Sequence, residues 1–131
     1  MEFILLTSAF LWVLSRRPEP HPVLDELRKN LAKIDQSFNT IHIYPSTETY
    51  AHNKRDIYIC LQDRDGKYYD MNTLVYVSLH EIAHIVTRGE KEDHDETFLR
   101  NFSILLKKAQ EKGIFDGRKP IPKDYCKVNR N

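Results

Sequence analysis

Cysteine is nearly absent: Cys60 and Cys126 are the two in 131 residues. That is too few for a disulfide framework, and neither has the C-x-x-C spacing of a cysteine-ligated metal. Cys60 lies in an apolar run and reads as core packing; whether a bridge joins the pair stays open, and the redox compartment with it. Glycine and proline are scarce, at four and six, which excludes collagen-like and low-complexity chains. No internal repeat is present. The formal net charge of +1 gives no whole-chain drive toward nucleic acid or membrane. That charge is uneven, because from Leu105 onward eight Lys and Arg stand against three acidic residues. What remains is an ordinary globular composition, 40% hydrophobic and 30% charged, of a length that suits one domain with one core.

The first fifteen residues differ from the rest. Between Glu2 and Arg16 there is no charge, and FILLTSAFLWVL is apolar around the whole helical circumference, so no face suits water. At about 1.5 Å per residue, fourteen residues reach roughly 21 Å against a ~30 Å hydrocarbon core. Residues 1–15 therefore read either as a membrane anchor acting through residues 3–14 or as a core-packed first helix. Arg16-Arg17 would keep an inserted chain's following domain on the cytoplasmic side; without insertion the chain reads as intracellular and soluble. Residues 16–22 form a proline-rich linker.

An α+β domain over residues 23–117 follows, with about three helices and a small antiparallel sheet. Val23, Leu24, Leu27, Leu31 and Ile34 fall at helical spacing. Ile41–Tyr44, ending at Pro45, and Asp56–Leu61 are the expected strands, and Asp65-Gly66 marks a turn. Asp70 or Asn72 can cap a helix carrying Leu74, Val75, Leu79, Ile82, Ile85 and Val86, with Gly89 as its stop. Asp93 and Glu96 resemble a capping box for a last helix through Phe98, Phe102, Leu105, Leu106 and Ala109, closed by Gly113. Residues 118–131 are a basic tail expected to wrap the surface or hang free.

The chemistry lies in SLHEIAHIVTRGEKEDHDETF, residues 78–98. On a helix, His80 and His84 project from one face and can grip one ion, while Glu81 lies about 100° round, placed to reach water on that ion. Neutral imidazoles suit Zn2+, whose open position lowers the pKa of bound water to about 7. Glu81 would accept that water's proton and pass it to the leaving nitrogen, which makes peptide hydrolysis the expected reaction. A third ligand must come from beyond the helix: His94, with Asp95 as the other candidate or as a carboxylate supporting an imidazole. Thr87 and Glu90 stand where a metzincin would need Gly and His. His21, His42 and His52 lack partners at ligand spacing and read as surface residues. Tyr125, Tyr68 and Tyr69 are the candidate oxyanion donors.

DIYICLQDRDGKYYDMNTLVYVSLHEIAHIV followed by HDETF resembles the core of the WLM family of zinc metallopeptidases and, more loosely, its SprT-like relatives. In that pattern a strand precedes a helix with H-E-L-x-H, and a third histidine opens H-x-x-x-F; the matching positions are His80, Glu81, His84, His94 and Phe98. The resemblance implies a zincin-like core with one zinc per chain, held by His80, His84 and His94. It also implies action on protein substrates, in known relatives those crosslinked to DNA. The basic tail is the segment that could meet DNA, although it lacks the aromatic interleaving of a nucleic-acid binder. The rival expectation is a membrane-tethered binding protein with a structural or vestigial zinc site.

Overall fold

The computed structural model describes residues 21–53, 55–87 and 95–126. The hydrophobic segment 1–15, Gly89, Asp93, the candidate ligand His94 and the tail end 127–131 lie outside them.

Helix α1 spans Pro22–Ile34. Pro22, the last residue of the linker and one suited by sequence to a first helical turn, opens the helix, because a proline's missing N–H costs nothing there. His21 is the N-cap, its Nδ1 accepting from Leu24 N at 3.4 Å. The predicted stripe buries Leu24, Leu27, Leu31 and Ile34. A short 3-10 turn, Gln36–Thr40, adds Phe38 to the core.

Three strands follow: β1 (His42–Ser46), β2 (Tyr50–His52) and β3 (Asp56–Cys60). Their order is β1-β3-β2, with β1–β3 parallel and β2–β3 antiparallel. The sheet is thus mixed, correcting the antiparallel expectation. The chain runs along β1, returns along β2 and inserts β3 between them, so β3 regains the direction of β1. Pro45 lies inside β1 rather than ending it, opposite Ile59; an edge strand tolerates the lost donor. β2, unread in the sequence, is three residues long and turns into β3 through Asn53 at φ 54°. One sheet face points Ile43, Ile57 and Ile59 into the core. The other lines up Tyr44, Tyr58 and Tyr50 in one cross-strand row, their rings stacked at 5.1 and 4.6 Å.

Helix α2, Met71–Thr87, is apolar over most of its circumference and accordingly buried on several sides. It packs on β2 and β3 and against both α1 and helix α3, Glu96–Glu111. Asp70 is its cap, accepting from Thr73 N at 2.8 Å. At α3 the cap is Asp95, whose Oδ1 accepts from Phe98 N at 2.9 Å; the helix starts two residues later than the Asp93 reading placed it. Its C-terminus is a Schellman motif: Gly113, at φ 72°, donates to Gln110 O at 3.0 Å and Ile114 to Ala109 O at 2.9 Å.

Beyond α3 the chain turns back onto the core. Asn72 holds it from α2, its Oδ1 accepting from Asp116 N at 2.7 Å and its Nδ2 donating to Asp116 O at 3.1 Å. Phe115, Tyr125 and Cys126 are buried, and Cys126 is disulfide-bonded to Cys60, with their Cα atoms 6.3 Å apart. As far as Cys126, the basic tail is therefore tied down at its buried end. No helix among the described residues is long and apolar enough to cross a membrane.

Candidate metal centre

The helical repeat of about 3.6 residues places residues four apart one above the other. His80 and His84 obey it: their ring centroids are 5.0 Å apart, at 77°. Glu81 is not turned away from this pair. Its side chain folds back so that Oε2 lies 3.1 Å from His80 Nδ1, and the residue is 8% exposed. One ligand atom from each of His80, Glu81 and His84 lies within 4.8 Å of the others, a group of the size one ion can bridge.

The contact between Glu81 and His80 carries chemical information. With the carboxylate ionised, this contact requires the ring proton on His80 Nδ1, the tautomer in which Nε2 is the nitrogen able to ligate. A carboxylate behind a ligating imidazole is a recurrent arrangement at metal sites, where it fixes both tautomer and ring orientation. Two imidazoles on one helix face suit Zn2+ by donor type, so these side chains fit the ion that the sequence pattern calls for.

Helix α3 supplies the wall. Phe98 stacks on the His84 ring, with centroids 4.3 Å apart and planes at 27°, and meets His80 edge-on at 5.1 Å. Phe102 meets His80 at 5.3 Å and 89°. Below them, Asn101 Nδ2 donates to Thr87 Oγ1 at 3.1 Å and Thr87 Oγ1 to Ala83 O at 2.6 Å, joining α3 to the last turn of α2. Sequence reading placed Phe98 and Phe102 in a core stripe. Phe98 also stood in the H-x-x-x-F motif of the resemblance, which signals its place at the site; for Phe102 the one signal is an aromatic residue where leucine would fill the core equally well.

Other expected site residues have separate tasks. Asp95 uses one carboxylate oxygen as the α3 cap. The Tyr125 hydroxyl is buried, donating to Cys60 O at 2.7 Å and bonded to Thr49 Oγ1 at 2.6 Å. Tyr69 Oη accepts from Cys126 N at 2.9 Å. Tyr68 is exposed and meets His21 edge-on. His42 Nδ1 lies 3.2 Å from Asp56 Oδ1, on the exposed sheet face.

No protein-family model matches the chain, and no solved structure does. The chain is 40% identical over 92 residues to the uncharacterized protein 042R of Invertebrate iridescent virus 3, an alignment covering 70% of this chain and 57% of that one. It is 32% identical over 114 residues to the uncharacterized protein 136R of Invertebrate iridescent virus 6, covering 83% and 63%. An uncharacterized protein of Acanthamoeba polyphaga mimivirus is 33% identical over 75 residues, covering 55% and 37%. The chain thus spans about three fifths of the first two relatives' length.

Proposed function

We propose that this chain is a zinc-dependent peptidase in which His80, His84 and His94 hold one zinc ion and Glu81 is the general base and acid. The observation that carries the reading is the approach of His80, Glu81 and His84 within 4.8 Å on one face of a buried helix. Bound zinc supplies a Lewis acid that polarises a carbonyl and lowers the pKa of water to about 7. Glu81 takes a proton from the attacking water as its oxygen bonds to the peptide carbon. The C–N bond then breaks, and the same carboxylate delivers the proton to the departing amine. His80 is kept in the ligating tautomer by the Glu81 oxygen behind it. The substrate class is a protein or peptide, and the resemblance to WLM peptidases extends the proposal to proteins associated with DNA.

The test is zinc content per chain together with cleavage of an unstructured protein, on wild type, His84→Ala, His94→Ala and Glu81→Gln. About one zinc and cleavage in wild type are expected, with loss of metal in both histidine variants and loss of cleavage alone in Glu81→Gln. A wild-type chain without zinc removes the proposal.

A second reading has one observation in its favour. The Glu81–His80 contact would also serve a purely structural zinc site, as in a binding protein tethered through residues 3–14. Under that reading Glu81→Gln changes nothing measurable, and deleting residues 1–20 abolishes membrane association while leaving a folded domain.

A further inference from the structure

We infer that Phe98 is a positioning residue for the metal centre, setting the planes of the two imidazoles and tying them to the start of α3. This rests on the peptidase reading only in supposing that His80 and His84 ligate zinc.

The contacts are specific in kind. Phe98 is 1% exposed and touches both rings by different modes, stacked on His84 at 4.3 Å and edge-on to His80 at 5.1 Å. Aromatic rings prefer these two arrangements for electrostatic reasons, so each imposes a plane where an aliphatic side chain would only fill volume. With the planes set, the directions of the ring nitrogens follow. His80 is additionally held from behind by Glu81 Oε2 at 3.1 Å. Phe98 lies flat against the His84 ring.

Phe98 itself is held by the helix cap. Asp95 Oδ1 accepts from its backbone N–H at 2.9 Å, and Asp95 O accepts from Leu99 N at 2.9 Å. The first turn of α3 is thereby fixed, and its aromatic residue is carried onto the histidines of α2. Phe102, one turn on, is in edge-on contact with His80 and lies 5.8 Å from Phe98, closing the wall. The start of α3 is thus joined to the α2 histidine pair through Asp95 and Phe98, two helices linked by stacked and edge-on rings.

The test uses the full chain with Zn2+ as the probe, its affinity read by chelator competition. The variants are Phe98→Leu and, in case that fails to fold, Phe98→Met, whose flexible side chain refills the space. Phe38→Leu, the same change in core away from the histidines, is the control. Loss of a group that orients a ligand costs about 10- to 100-fold in metal affinity. At least a tenfold loss is expected for the folded Phe98 variant, with Phe38→Leu less stable but unchanged in affinity. Equal affinity in wild type and the folded Phe98 variant overturns the inference, as does an equal loss in the Phe38 control. If wild type binds no zinc, this inference falls together with the metal site, whereas zinc bound without any cleavage removes the peptidase reading and leaves the inference to be decided by the Phe98 affinities.

Discussion

The Tyr125 hydroxyl donates to the carbonyl oxygen of Cys60, 65 residues earlier, at 2.7 Å. The same hydroxyl meets Thr49 Oγ1, which accepts from the backbone N–H of Cys60 at 2.9 Å. Both main-chain polar groups at the end of β3 are therefore satisfied by two side chains that bond to each other. Burial without such partners would leave them costly.

Tyr125→Phe keeps the ring and removes the link. Unfolding in urea should show a loss of about 1–3 kcal/mol, with little change in zinc content, because the network is separate from the histidines. An unchanged midpoint would mean that water replaces the hydroxyl.

The Cys60–Cys126 bridge closes a loop with a sequence separation of 66. On the chain-entropy account such a loop contributes about 4 kcal/mol. Cys126→Ser should lower thermal stability markedly, and a dithiol reductant should lower that of wild type to the same level. Insensitivity of wild type to the reductant would show that the bridge is not formed in the purified protein.

The two tasks proposed for Glu81, base and support for His80, can be separated. Gln retains an oxygen that accepts from His80 Nδ1–H but cannot act as a base, so Glu81→Gln should keep its zinc and lose about 10²- to 10⁴-fold in turnover. Glu81→Leu removes both, and zinc affinity should drop about tenfold or more as well. Identical zinc affinities for the two variants would count against the orienting role.

Ser78 Oγ is fully enclosed and has no hydrogen-bond partner among the described residues. Leaving a buried hydroxyl unpaired costs about 1–3 kcal/mol, and alanine is also the better helix former. Ser78→Ala should raise the melting temperature; a fall would reveal a partner for the hydroxyl.

Acid should weaken the fold through carboxylates that accept hydrogen bonds. Hydrogen bonding from Thr73, its side chain foremost, holds Asp70 below the ordinary value of 3.8, and Ser37 does the same for Asp35. The unfolded chain takes up these protons at higher pH than the native one. Their stabilisation is therefore fully present above the ordinary carboxylate range and is lost as pH falls through the lowered folded values. Asp70→Ala should cost about 1 kcal/mol at neutral pH as a lost cap, and urea midpoints recorded down the acid range should converge with those of wild type.

Local patterns were legible wherever a short-range rule dictates the structure. The α1 stripe, a cap at Asp70 or Asn72, the Gly113 terminus and the shared face of His80 and His84 all follow from helical periodicity and from which residues tolerate a helix end. The pairing of β1 with β3 was not legible, because a three-residue return strand carries too little alternation to be seen and parallel pairing joins segments that no local rule connects. The sequence by itself determined which residues could meet a metal on one helix. Only the tertiary structure decided that Glu81 leans on His80, that Phe98 lies against His84 and that Cys126 reaches Cys60, because each contact depends on where a separate segment or a freely rotating side chain comes to rest once the core has packed.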